Sequence, residues 1–315
     1  MQTILTDSAE EAADFLNCGG VVAFPTETVY GLGAGICHPE AIKKVFRAKG
    51  RPGDNPLIVH IYCLEQLADV ASDINSNARV LIERFFPGPL TLVLKKNLLV
   101  PDSVTAGLET VGIRCPANQV AREFLSHCSC PVAAPSANLS GLPSATNWES
   151  VYEDLNGKID CLLRGKPSTI GLESTIVECS GTLPVLLRAG AITLEQLRAV
   201  LPEISVYTVT DEREVPKSPG LKYPHYAPKA SILFYNVNET VTIGPSSAYI
   251  GLSDPPEGVA LFKICKNFDE YGRELFSFFR YCDAHDIKVI YCELPANTGL
   301  GRAIRDRLLR AAGRL

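Results

Sequence analysis

The sequence predicts an α/β protein: a mixed sheet with helices, followed by a second, smaller α/β domain. Three observations carry this reading. Short apolar runs alternate with amphipathic segments of helical period along most of the chain. Some apolar runs are neighbours in sequence, which points to a mixed rather than a wholly parallel sheet. Finally, the polar, proline-rich stretch from Asp211 to Gly220 separates two such patterns. The 315 residues divide accordingly into 1–206, a linker at 207–230, and a small domain at 231–315.

Asp7 and Ser8 precede an acid-rich helix, Ala9 to Leu16, which Gly19 and Gly20 stop. Val21 to Phe24 is a short buried strand ended by Pro25. Pro39 opens a helix running to Ala48, with Ile42, Val45 and Phe46 on one face and Gly50 as terminator. Leu57 to Ile61 is the next strand. A helix near 77–86, strands near 90–95 and 110–114, a helix near 118–127 and a strand near 131–134 follow. Strands near 159–163, 174–179 and 184–187 and a helix near 193–200 complete the large domain. In the small domain, 231–235 and 288–291 read as parallel-sheet strands, with helices near 268–284 and 300–312.

A hydrophobic content of 46% is enough for real cores, and a net charge of −5 supplies no global attraction to nucleic acid or an anionic membrane. No apolar run approaches the roughly 18 residues that span a bilayer, and the first residues are acidic where a targeting peptide would be basic. A cytoplasmic location without membrane contact is expected. The eleven cysteines include no C-x-x-C, and Cys128 and Cys130 have no partners at zinc spacing. Small buried thiols in a reducing compartment are expected, and no protein-held metal.

Chemistry concentrates in a few segments. Pro25-Thr26-Glu27-Thr28-Val29-Tyr30-Gly31-Leu32-Gly33 reads as a strand-to-loop turn whose hydroxyls and glycines suit a small polar ligand. Lys49, Gly50 and Arg51 put cations around a glycine at a helix end; they either serve the helix dipole or bind polyphosphate oxygens. His60 ends a strand and reads on its own as a core histidine. Arg114 lies in an apolar strand, so it must be ion-paired internally or face a cleft. Ser136, Asn138, Ser140 and Ser144 fill a small-residue loop against which a flat base or sugar could lie.

Taken in order, PTETVYGLGA, KGRP followed by NPL, PGPLT, VGIRCP, APSANLSG, STIV, LRAGAI and SPGLKYPHYAP resemble the threonylcarbamoyl-AMP synthase family, in its long two-domain form. The resemblance covers nearly the whole chain. It implies a YrdC-like mixed twisted sheet with helices, a smaller Rossmann-like C-terminal domain, and a linker that closes over the site. It further implies condensation of L-threonine, bicarbonate and ATP to threonylcarbamoyl-AMP and pyrophosphate, with Mg²⁺ accompanying ATP. A downstream transfer machinery acting on tRNA is the implied partner. Carried over by motif, Thr28, His60, Arg114, Ala134 and Ser174 contact threonine. Arg51, Asn55, Thr110, Ser136, Ser144, Arg188 and Tyr226 hold ATP, and Lys49, Arg51 and Arg114 are the catalytic cations. The chain departs from the family at Leu221, usually Met, and at Pro224, commonly a basic or polar residue.

Such a reaction needs no side-chain nucleophile: two anions must be held in line, their charge compensated and water excluded. The chain has no G-x-x-x-x-G-K-[ST] motif, which suits an enzyme that works by positioning. The sequence leaves two rival readings. One is a double-stranded RNA-binding module of the same fold, making a weak RNA contact. The other is a carbamoyltransferase using carbamoyl phosphate.

Overall fold

A computed structural model describes residues 2–207, 225–236, 244, 246–259 and 261–314. Within the expected linker at 207–230, residues 208–224, with Leu221, Lys222, Tyr223 and Pro224, lie outside the described residues.

The large domain opens with β1 (Ile4–Thr6), α1 (Ala9–Asn17), β2 (Val22–Phe24), β3 (Gly31–Gly35), α2 (Pro39–Lys49) and β4 (Ile58–His60). A 3₁₀ turn (Leu64–Gln66), α3 (Leu67–Val70), α4 (Ser76–Phe85), β5 (Leu90–Lys95), α5 (Asp102–Thr105) and β6 (Thr110–Arg114) follow. Next come α6 (Gln119–His127), β7 (Val132–Ala134), α7 (Trp148–Leu155), β8 (Cys161–Leu163), β9 (Thr175–Glu178), β10 (Val185–Arg188), α8 (Leu194–Val200) and β11 (Ser205–Val206). The small domain contains β12 (Ser231–Tyr235), β13 (Ser247–Gly251), β14 (Leu261–Ile264), α9 (Phe268–Ala284), β15 (Val289–Glu293) and α10 (Gly299–Ala311).

Local chemistry explains most helix boundaries. Ser8 caps α1 by accepting from the Glu11 N–H, and Asn118 caps α6 by accepting from Ala121. Thr193 and Gln196 form a reciprocal capping box on α8. Pro39 occupies the first turn of α2, and Gly50 ends that helix in the left-handed conformation at φ 63°.

The large sheet has eleven strands in the order β1-β8-β2-β3-β7-β4-β6-β5-β9-β10-β11, with parallel and antiparallel pairs intermixed as the sequence predicts. Helices α1 and α6 cover one face through Leu16, Phe124 and Leu125, packed against Phe24, Val132 and Leu163. The larger core on the other face gathers Ile42, Val45, Leu81, Leu92 and Val151. Each such side chain, once buried, contributes about 1.5–3 kcal/mol of transfer free energy. The small sheet, β12-β15-β13-β14, is wholly parallel, and α9 and α10 pack on it through Phe276, Phe279, Ile304 and Leu308.

One expectation is corrected. Gly31 to Gly35 form a strand between β2 and β7 rather than a loop. A Cβ on Gly33 would sit 2.6 Å from Val132 and 3.0 Å from Phe24, so this glycine makes room for packing rather than for a ligand. Most cysteines are buried thiols as expected; Cys18 and Cys37 are exposed and Cys63 is half-buried. Among the described residues no helix is long and apolar enough to cross a membrane.

The two domains meet closely. Arg280 of α9 makes a two-pronged ion pair with Asp154, at 3.1 and 2.7 Å, and donates to the Pro143 carbonyl. Gly171 has a φ of 78° and sits against the backbone of Arg273: a Cβ there would lie 2.4 Å from the Arg273 Cα. Gly171→Ala therefore combines left-handed strain with overpacking between domains. It is expected to cost about 2–4 kcal/mol in urea unfolding, and a loss below about 0.5 kcal/mol would contradict this interface.

Candidate active site

One cleft in the large domain gathers most of the residues singled out in the sequence. Thr28, Lys49, Arg51, His60, Arg114 and Ala134 line it. So do Ser136, Ser144, Ser174, Arg188 and Tyr226. Asn55 and Thr110 are not among the lining residues. Asn55 is buried behind Arg51, whose Nε donates to its carbonyl at 3.4 Å, and Thr110 begins β6 opposite Lys95.

Sheet topology explains one wall. Strands β4 and β6 run parallel with His60 and Arg114 in register, so both side chains emerge at the same end of the sheet. Arg114 is buried, and its Nη2 lies 2.7 Å from Glu27 Oε1 while its Nη1 donates to Thr28 Oγ1 at 2.7 Å. Both sequence alternatives for this arginine therefore hold together: it is internally paired and it faces the cleft. Burial by itself would raise the Glu27 pKa, but the Arg114 charge and hydrogen bonds from Arg114 and the Ala117 N–H outweigh it and lower the value. The Thr26 hydroxyl donates to the Val29 carbonyl at 2.6 Å, fixing the turn that presents Thr28.

The His60 ring packs edge-on against Phe24, with centroids 5.7 Å apart, and its Nδ1 lies 3.1 Å from the Ile58 carbonyl oxygen. Burial first, then the neighbouring Arg114 cation, push its pKa down to about 3. The ring is neutral near pH 7, which avoids a second positive charge beside Arg114.

The opposite wall is built from loops. Lys49 is buried, and its ammonium donates to the Ser136 and Asn138 carbonyls at 2.6 and 2.5 Å. Burial, and then the Arg51 charge, hold its pKa well below the usual lysine value. The Ser136 hydroxyl donates to Asn138 Oδ1 at 2.5 Å, and the Asn138 amide donates to the Leu139 and Leu142 carbonyls. This loop is thus organised around Lys49 and Asn138. Arg188, at the end of β10, donates through Nε to the Ser174 carbonyl at 3.1 Å and through Nη2 to the Ser174 hydroxyl at 3.2 Å. Ser174 also shares a 2.7 Å hydrogen bond with Thr91.

Beyond the undescribed linker residues, the chain returns to the cleft. His225 and Tyr226 line it, and the Ala227 N–H donates to the Gly141 carbonyl at 2.9 Å. Tyr226 adopts a φ of 70°, a strained value for a bulky residue, and stacks on Phe276 of α9 at 5.2 Å. Burial, and then the Arg51 charge, lower the His225 pKa to about 4.

Comparisons with known proteins bear on the whole chain rather than on single cleft residues. A family model described as "Telomere recombination" matches residues 14–190, and one described as "Threonylcarbamoyl-AMP synthase, C-terminal domain" matches residues 192–313. The threonylcarbamoyl-AMP synthase of Pyrococcus abyssi is 41% identical, over 96% of this chain and 93% of its own length. This chain belongs to the threonylcarbamoyl-AMP synthase family. The family's enzyme from Bacillus subtilis is 42% identical, over 96% of this chain and 92% of its own. The crystal structure of P. abyssi Sua5 complexed with L-threonine matches with a TM-score of 0.90 at 36% identity, covering 99% of this chain and 97% of that one.

Some cleft residues were invisible to sequence reasoning. Glu173 lines the cleft and is paired with Arg307, 134 positions away. Thr26 and Tyr30 also line it; they belong to the hydroxyl-bearing turn that the sequence marks as suited to a small polar ligand, without an individual role.

The neutral state of His60 has a measurable consequence. As pH falls below the ordinary histidine value of 6.5, the unfolded chain takes up a proton that folded His60 refuses until about pH 3. His60 therefore contributes a loss of stability as pH drops through that window. His60→Asn is expected to show a shallower fall in urea-unfolding stability between pH 6.5 and 5 than the unaltered chain; equal slopes would count against a neutral, buried ring.

Proposed function

We propose that this chain is an L-threonylcarbamoyladenylate synthase acting as a nucleotidyltransferase on ATP. It condenses L-threonine, bicarbonate or CO₂, and ATP to threonylcarbamoyl-AMP and pyrophosphate. The observation that carries this reading is the convergence of Arg51, Arg114 and Arg188 on one cleft in a member of this family.

The Arg114 side of the cleft takes threonine. The Arg114 Nε has no hydrogen-bond partner among the described residues, and a bound carboxylate would use it. Thr28, His60, Ala134 and Ser174 complete that subsite. The Ser144 side takes ATP, with Arg51 and Arg188 near the phosphates and Ser136, Ser144 and Tyr226 around the nucleoside. Asn55 and Thr110 support this half from outside the lining. Lys49 acts by holding the loop backbone beneath the triphosphate rather than by presenting a free ammonium.

The amine of threonine attacks the carbon of CO₂ and releases a proton, giving a carbamate. A carbamate oxygen then attacks the α-phosphorus in line, the bond to the bridging oxygen of the β-phosphate breaks, and pyrophosphate leaves. The cations compensate charge that would otherwise keep two anions apart. Mg²⁺ enters as the Mg·ATP substrate. Among the described residues no cluster of three His, Cys, Asp or Glu could cage a metal, and Mg²⁺ held by phosphate oxygens and water requires none. We place the reaction in the cytoplasm, where the product passes to the machinery that modifies tRNA.

The purified chain, incubated with threonine, bicarbonate, ATP and Mg²⁺, is expected to yield threonylcarbamoyl-AMP by mass spectrometry. Omitting bicarbonate should abolish it; adenylate formation without bicarbonate would indicate ordinary amino-acid activation instead. Arg51→Ala, and Arg114→Ala combined with Glu27→Gln so that no buried carboxylate is left without its cation, are each expected to lower threonine-dependent pyrophosphate release by at least ~100-fold while the protein stays folded. Undiminished turnover in both would remove this site assignment.

A further inference from the structure

The small domain reaches the cleft through a side chain that none of these assignments uses. Arg307 of α10 is completely buried. Its Nε donates to Glu173 Oε2 at 2.8 Å, its Nη2 to the Ala189 carbonyl at 3.0 Å and its Nη1 to Asp306 Oδ2 at 2.6 Å. The guanidinium carbon lies 5.6 Å from the centre of the Tyr226 ring. The other Glu173 oxygen accepts from the Ser144 hydroxyl at 2.5 Å. One arginine of the second domain is therefore joined to Tyr226 directly, to Ser144 through Glu173, and to the residue after Arg188.

Glu173 is the only carboxylate among the described residues that line the cleft. A carboxylate beside a triphosphate repels it, strongly so where water is scarce. The same carboxylate is useful, because it orients the Ser144 hydroxyl. Burial would favour its protonated form, but the Arg307 and Arg188 charges keep its pKa below the ordinary value, so the group is anionic. An anion that must stay ionised yet must not repel the substrate needs a cation behind it, on the side away from the ligand. The Arg280–Asp154 pair is a useful contrast, since it also joins the domains but neither member lines the cleft.

We propose that Arg307 is a positioning residue for the nucleotide: from the C-terminal domain it neutralises Glu173, letting that carboxylate orient Ser144 without repelling the triphosphate. This rests on the reading of the Ser144 side as the ATP subsite, and it assigns the small domain a part in nucleotide binding.

The test is calorimetric titration of the full chain with Mg·ATP and, separately, with threonine. Four proteins are compared: the unaltered chain, Arg307→Met, Glu173→Gln and the double variant. Arg307→Met is expected to weaken ATP binding by at least about tenfold while threonine affinity changes by less than about twofold. The double variant is expected to bind ATP within about threefold of Glu173→Gln alone, since no carboxylate lining the cleft is left for the guanidinium to neutralise. A purely architectural arginine would weaken both ligands alike and leave the double variant well below Glu173→Gln; either result overturns the proposal. Should Arg307→Met fail to fold, the double variant, which buries no lone charge, still decides by that comparison. If the unaltered chain binds no ATP, this proposal and the functional reading fall together. If it binds ATP but makes no threonylcarbamoyl-AMP, only the functional reading falls.

Discussion

The ion pair between Arg114 and Glu27, 2.7 Å long and almost entirely out of water, is the contact on which the cleft depends. A lone guanidinium buried at the end of a strand would be prohibitively costly, and pairing it with a hydrogen-bonded carboxylate removes most of that cost. Glu27 does more than balance charge. Its two oxygens also accept from the Ala117 and Asn118 N–H groups, at 3.2 and 3.3 Å, just before α6. The β2–β3 turn, the end of β6 and the start of α6 are thereby locked together. Thr28 and Arg114 hold their places because this junction is rigid.

The cleft has two walls made by different means. On one side, strand register alone aligns His60 with Arg114. On the other, irregular backbone must be held by side chains: Lys49 and Asn138 from within the loop, and Arg280 from the second domain through the Pro143 carbonyl. Loops that carry binding groups need such external bracing, because they lack a ladder of their own.

Much of this was legible in the sequence, and the reasons are local. Ser8, Pro39, Gly50 and Asn118 mark helix ends through the chemistry of their own neighbours. Arg114 advertises itself because a charge in an apolar strand demands a partner. What escaped depends on distant residues. The strand Gly31 to Gly35 has little intrinsic strand preference and exists because β2 and β7 flank it and Phe24 fills the space its glycines leave. Strands β13 and β14 and helix α7 have no counterpart among the sequence expectations. Nothing near Glu173 announces Arg307, and nothing near Asp154 announces Arg280, 126 positions on. Family motifs supplied the cleft residues that single-residue reasoning left ambiguous, His60 and Ala134 among them.

The long reach from Glu173 to Arg307 bears on how the molecule is made. A ribosome delivers the strands of the large sheet well before it delivers α10, so the first domain can acquire its shape while still tethered. Until then Glu173 has Arg188 nearby but lacks the guanidinium that hydrogen-bonds it directly, and the loop wall lacks its Arg280 brace. Only when α10 has been synthesised and has docked can that wall acquire its final electrostatic character, so maturation of the pocket waits on a helix made well after the sheet it serves.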